Sequence, residues 1–195
     1  MILSNVEIHR ALDKGSLVID PEPSPRFPVP GREVECPYNA SSVDLRLGDE
    51  LLIPKENPPF NIDLSVGPFK ELLSPDNYTK RRLTGDDKYT LQRGRFLLAR
   101  TFERVEFPLQ TDGTTLAARI EGRSSFARCG LLVHFTAPTI HAGFKGTITL
   151  EITNLGAAGI TLSAGVAICQ LIIEEVRGLP FSVESQFHGQ SSPGG

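Results

Sequence analysis

Apolar residues recur every second position along most of this chain, and every third or fourth position only near its start. In "SNVEIHRALDKG" Ile8, Ala11 and Leu12 form a helical stripe, Ser4 and Glu7 have capping-box spacing, and Gly15 supplies a stop. A helix is therefore predicted there, followed by a short strand in "SLVID". Between Pro21 and Pro37 stand Pro21, Pro23, Pro25, Pro28, Pro30 and Pro37. Each ring removes a backbone donor and fixes φ, so this segment is predicted to be a loop.

Beyond the loop the period is two. In "SSVDLRLG" Val43, Leu45 and Leu47 face one way and Asp44 and Arg46 the other. "ELLIP", "RFLLART", "TLAARIE", "LLVHF", "GTITLEITN" and "VAICQLIIEEV" are further strand segments, separated by Gly, Pro, Asn or Asp turns. Residues 56–92 are less regular, with "FKELL" read as one helical turn and "TGDDK" as a turn. No internal repeat is visible. The tail "QFHGQSSPGG" is polar and glycine-rich, and is expected to be mobile unless something docks it. The pattern predicts a mainly antiparallel β protein with a small N-terminal helix.

The 195 residues suit one domain, and 18 glycines with 15 prolines favour many short strands over long helices. A formal net charge of -3 argues against nucleic-acid binding, which rests on cationic side chains neutralising phosphates. A small anionic ligand held by a local basic cluster remains compatible with it. The three cysteines, Cys36, Cys129 and Cys169, are odd in number and far apart, which fits a reducing compartment rather than a disulfide framework or a zinc site. "MILSNVEIHR" has no signal-peptide pattern and no apolar run reaches membrane-spanning length, so a cytoplasmic protein is expected.

Chemistry concentrates in "EGRSSFARCG", residues 121–130. "SSFAR" suits one or two helical turns, serine caps helix starts, and Ser124 and Arg128 share a helix face. Hydroxyls, backbone amides and the guanidiniums of Arg123 and Arg128 would then face an anion; a capped surface turn with solvated arginines fits the spacing equally. In "GTITLEITN" Ile148, Leu150 and Ile152 share one face and Thr147, Thr149, Glu151 and Thr153 the other. Glu151 is either a solvated carboxylate or, if that face lines a pocket, a general acid/base. His134, in the apolar "LLVHF", reads as a satisfied core or interface histidine. His141 either contacts a ligand or shapes its loop, and Asp44 and Arg46 are candidates to pair with each other. No zinc-deaminase, Walker or Ser-His-Asp pattern is present.

Together these segments resemble the trimeric dCTP deaminase and dUTPase family, its deaminase branch in particular. The resemblance runs from "MILSNVEIHRAL" through "SSVDLRLG", "RFLLARTFERVEFP", "LAARIEGRSSFARCGLLVHFTA", "AGFKGTITLEITNLG" and "GVAICQLIIEE" to "SQFHGQ". It implies a distorted β-barrel or jelly roll over residues 1–180, with a tail over 181–195 that closes on bound nucleotide. It also implies homotrimers with active sites between subunits, magnesium carried by the triphosphate, and no zinc. By resemblance Arg123, Ser124, Ser125 and Arg128 hold the triphosphate, and Ser124 also holds the attacking water. Glu151 matches the catalytic glutamate, and Ala137 the residue whose backbone places the water and reads the base. Gln170 falls in the fourth motif, while Phe181, Gln186 and Gln190 match the closing tail. The implied reaction is hydrolysis of dCTP to dUTP and ammonia.

Two positions depart from the family pattern. His141 stands where members carry an aspartate, which weakens a reading as a dUTPase alone and leaves the deoxyribose contact open. Gln186 replaces a lysine, removing one charge-assisted contact to the triphosphate. Three readings follow: a dCTP deaminase, a bifunctional deaminase and diphosphatase (or a diphosphatase alone), and a non-catalytic nucleotide-binding member. Glu151, Ser124 and Arg128 favour an enzyme over the third.

Overall fold

The computed structural model of the chain describes all residues but 32–34, 57–64, 66–75, 112–113, 182–191 and 194–195. The expected first helix is α1, Asn5–Lys14. The Ser4 side chain accepts from the Glu7 backbone N–H at 3.4 Å, and Gly15 closes the helix in the left-handed region at φ 71°. Ile8 and Ala11 on its inner face are buried. The strand expected in "SLVID" is β1, Val18–Asp20, and the "TGDDK" turn is present, with the Asp87 N–H donating to the Thr84 carbonyl at 3.0 Å. "FKELL" lies outside the described residues.

The remaining strands are β2 (Tyr38–Asn39), β3 (Ser42–Pro54), β4 (Tyr78–Arg82), β5 (Lys88–Leu91), β6 (Phe96–Glu106) and β7 (Thr115–Gly122). After the short helix α2 (Ser124–Ala127) come β8 (Leu131–Val133), β9 (Thr139–Ile140), β10 (Lys145–Asn154), β11 (Ile160–Ser163) and β12 (Ala167–Val176). The main sheet follows the order β8-β10-β6-β3-β12-β7-β9, with β1 on β6 and both β2 and β4 on β3. Strands β5 and β11 form a separate pair. All these pairings are antiparallel, and the main sheet curls into a half-barrel, as the period-two pattern and the resemblance led us to expect.

The apolar faces converge on one core. Val43, Leu45, Leu47 and Leu51 of β3 meet Leu97, Ala99 and Val105 of β6, Leu150 and Ile152 of β10, and Leu171 and Ile173 of β12, all fully buried. Each such leucine removed from water contributes roughly 1.5–3 kcal/mol. The segments "SSVDLRLG" and "ELLIP", expected as two strands, are one strand. Pairing of β3 with β6 shifts register between Leu47 and Leu51, which lets a single strand bend around the core.

Backbone closeness locks α2 to the end of β10. The buried Asn154 side chain donates to the Leu91 and Ala158 carbonyls, each at 2.8 Å, and accepts from the Gly156 N–H at 2.8 Å. The Leu155 N–H donates to the Gly130 carbonyl at 2.8 Å. Gly130 has φ +90°, and a Cβ there would come 2.2 Å from the Gly156 nitrogen. Only glycine meets both demands. Gly130→Ala is therefore expected to destabilise the chain by at least about 2 kcal/mol, read as a lowered urea midpoint at fixed protein concentration. An unchanged midpoint would contradict this contact.

Candidate functional site

Glu151 projects from the polar face of β10, where Thr149 and Thr153 flank it, and its side chain is 31% exposed. It stands at the point where β8 leaves the sheet. Val133 still pairs with Ile152, and the His134 N–H still donates to the Glu151 carbonyl at 2.8 Å. His134 then adopts φ 52°, the one non-glycine residue in the left-handed region among the described residues. That conformation is uncommon for a side chain of this size and ends the strand. The turn brings its ring onto Glu151, with His134 Nδ1 2.6 Å from Glu151 Oε2.

An ionised carboxylate only accepts, so the matching tautomer carries its proton on Nδ1. His134 is 7% exposed, and its Nε2 is buried with no hydrogen-bond partner among the described residues. Of the expectation of a satisfied core or interface histidine, the satisfied core reading is thus corrected. One nitrogen holds a carboxylate at short range and the other is orphaned, a state that burial makes costly in most proteins. The arrangement can keep Glu151 oriented, and among the described residues no hydrogen bond or ion pair takes up its second oxygen, which is the one available to exchange a proton.

A second polar centre lies where α2 begins. Helix α2 is one turn long; Arg123 is its N-cap residue and makes no side-chain cap, so capping by serine did not materialise. Ser124 and Ser125 occupy the first turn, where backbone N–H groups lack intrahelical acceptors. Both hydroxyl-bearing residues are exposed, as is Arg128. Arg123 is more enclosed, at 22% side-chain exposure. Its guanidinium donates to the Ala167 carbonyl at 3.4 Å and lies 3.4 Å from both Asp44 Oδ2 and Glu35 Oε2. Gln170, opposite Asp44 in the β12–β3 register, donates from Nε2 to Asp44 Oδ1 at 3.0 Å.

Asp44 and Arg46 do not pair with each other. Asp44 turns to Arg123 and Gln170, while Arg46 donates from its backbone and side chain to the fully buried Glu103, at 2.8 and 2.6 Å, and covers the Phe102 ring. A buried carboxylate demands a cation or several donors, and Glu103 takes both from one residue.

The structure thus brings Glu151 together with His134, and Arg123 together with Gln170. The end of β7 runs beside the end of β8: a Cβ on Gly122 would sit 3.9 Å from Val133 Cβ. No hydrogen bond or ion pair among the described residues joins Glu151 to Arg123 or Arg128. Ala137 is exposed in the link between β8 and β9, and His141 is exposed just after β9. Phe181 is exposed, while Gln186 and Gln190 lie outside the described residues. Farther along the tail, Pro193 is buried and its carbonyl accepts from Thr149 Oγ1 at 3.4 Å, on the face of β10 that carries Glu151.

A model of the dCTP deaminase-like family matches residues 2–176. The chain belongs to this family. The dCTP deaminase of Natronomonas pharaonis is 37% identical over 198 residues, covering 99% of this chain and 92% of that protein. A "dCTP deaminase, dUMP-forming" of Methanosphaera stadtmanae is 35% identical, covering 98% of this chain and 91% of its own length. Among solved structures, the 2'-deoxycytidine 5'-triphosphate deaminase of Agrobacterium tumefaciens shares the fold at a TM-score of 0.59 and 18% identity. That match covers 88% of this chain and 47% of that one, so the chain spans about half of that structure.

Two participants escaped the sequence reading. His134 sits inside an apolar run whose alternation looks unbroken, and nothing in "LLVHF" announces a left-handed residue. Asp44 sits on a strand whose pattern assigns it to a polar face, without saying which cation faces it. A cycle of Glu151→Gln, His134→Ala and the double variant tests the first pair. The stability losses are expected to be non-additive by about 1 kcal/mol or more in urea unfolding, and simple additivity would contradict a direct interaction.

Proposed function

We propose that this chain is a dCTP deaminase, converting dCTP and water to dUTP and ammonia. The observation that carries the reading is the half-buried Glu151 carboxylate, clamped by His134 on a sheet face. The names and near-complete coverage of its relatives support the same chemistry. Water is a poor nucleophile at neutral pH, and attack on an aromatic amidine carbon needs a base for the water and an acid for the ring. Glu151 serves as both. It takes a proton from water and delivers it to cytosine N3 while the hydroxide attacks C4. It then takes the proton of the new C4 hydroxyl and passes it to the amino group, and ammonia leaves as the C4 carbonyl forms.

Ser124 and the backbone at Ala137 orient the water and face the developing tetrahedral centre. Arg123, Ser125 and Arg128 grip the triphosphate, which brings magnesium with it as part of the substrate. Gln170 and His141 line the nucleotide site, and Phe181, Gln186 and Gln190 close over it. Seating of Pro193 on β10 supports a tail that reaches this face. The chain acts as a homotrimer with sites completed between copies. Support comes from the exposed Phe102, Phe135 and Leu155, and from the lack, among the described residues, of any hydrogen bond or ion pair joining Glu151 to Arg123 or Arg128. Three free cysteines, and the lack of any described helix long and apolar enough to cross a membrane, agree with work in the cytoplasm.

A second reading has its own support: the dUMP-forming relatives match this chain almost as well as the others. In it the same site also directs water at the α-phosphate and releases pyrophosphate.

The experiment is incubation with dCTP, and separately with dUTP, in the presence of magnesium, following ammonia and pyrophosphate independently. Ammonia alone from dCTP is expected. Both products would favour the second reading, and neither would leave a nucleotide-binding protein without catalysis. Glu151→Gln is expected to lower the ammonia rate by about 10²- to 10⁴-fold. Survival within a few-fold of wild type would refute the assigned role.

A further inference from the structure

Asp44 is a carboxylate with 8% side-chain exposure at the meeting point of three elements. Its Oδ1 accepts from Asn39 Nδ2 of β2 at 2.9 Å and from Gln170 Nε2 of β12 at 3.0 Å. Its Oδ2 faces the Arg123 guanidinium at the start of α2, 3.4 Å away. Its own backbone N–H donates to the Pro37 carbonyl at 2.8 Å, and Gln170 Nε2 lies 3.4 Å from Ser42 Oγ. The carboxylate is therefore held by three side chains, and two of them, Arg123 and Gln170, are residues that the proposed function assigns to nucleotide binding.

The two oxygens are divided between tasks. The amides of Asn39 and Gln170 share one, which fixes the plane of the carboxylate. The other is left for the guanidinium. Arg123 has a long side chain whose rotamers are free in the absence of partners. Asp44 and the Ala167 carbonyl restrict it from the inner side, and Glu35, 83% exposed, touches it from the outer side. An exposed carboxylate is weakly held and easily displaced, whereas the enclosed one is not. Loss of Glu35 to an incoming anion leaves Arg123 still held by Asp44.

We propose that Asp44 is a positioning residue that fixes Arg123 and Gln170 in one arrangement for the substrate's phosphates. This rests on the proposed dCTP reading. Asp44 touches neither the reacting atoms nor, in this account, the phosphates. It acts through Arg123 and Gln170, so its loss raises KM while the chemical step at Glu151 is largely spared. A purely electrostatic view gives the opposite sign: removing a negative charge beside Arg123 would strengthen attraction for phosphate and lower KM.

The test is steady-state ammonia release from dCTP by wild type, Asp44→Asn, Arg123→Ala and the double variant. Asp44→Asn is expected to raise KM by about tenfold or more, with kcat within about threefold. On the Arg123→Ala background the same change is expected to shift KM by less than about twofold, because the residue through which Asp44 acts is gone. An unchanged or lowered KM overturns the proposal, as does an equal rise on both backgrounds, the mark of a general structural role. If Asp44→Asn fails to fold, Asn39→Ala loosens the same carboxylate without leaving Arg123 facing a neutral partner. It is expected to raise KM in the same direction, and no change overturns the proposal. Absence of turnover in wild type would instead sink the dCTP reading itself.

Discussion

The carboxylate proposed to trade protons with bound water needs a fixed direction and partial shelter, and both come from the way one strand ends. β8 stays paired with β10 through Val133, and His134 then turns left-handed and lays its imidazole against Glu151. Such a backbone conformation costs about 1–3 kcal/mol when a side chain other than glycine adopts it. It persists because the surroundings over-determine it: the His134 N–H is still in the ladder, its ring is buried, and the Gly130–Gly156 contact fixes the start of β8. Sheet, turn and side-chain pair are one construction.

The second polar centre obeys the same logic with different elements. Arg123 belongs to a one-turn helix that by itself orients little, so its direction is set by the buried Asp44 and the Ala167 carbonyl. Both centres sit on strands that share the curled sheet: Glu151 on β10, next to β6, and Gln170 on β12, between β3 and β7. The core beneath them is mostly aliphatic and buried, which gives the polar faces a stiff base. Among the described residues no hydrogen bond or ion pair joins the carboxylate proposed for proton transfer to the guanidinium proposed for phosphate. The proposed trimer unites them across copies.

Much of this was legible in the residues. Ser4, Glu7 and Gly15 announced α1 because capping is local chemistry, and the alternation in β6, β7, β10 and β12 announced strands because one face must be buried. The cluster at Arg123 to Arg128 and the carboxylate at Glu151 stood out by residue type and by resemblance. What stayed hidden depended on contacts distant in sequence. Period-two alternation in "LLVHF" cannot reveal that the fourth residue breaks from the ladder. Asp44 and Arg46 share a strand face, yet each finds a partner contributed by another element, Arg123 and Glu103. Between "SSVDLRLG" and "ELLIP" stands only Asp49, which after Gly48 read as a turn; a register shift in one long strand accommodates this step instead.

The central claim is that the pyrimidine ring lies against β10, with Glu151 at its N3 edge. A crystal structure of the Glu151→Gln protein with dCTP and magnesium tests this most directly. The account requires cytosine N3 or the C4 amino group within about 3 Å of the side chain at position 151, and the triphosphate on Arg123 of the same or an adjoining copy. A base bound away from β10, with that side chain facing bulk solvent, would contradict it.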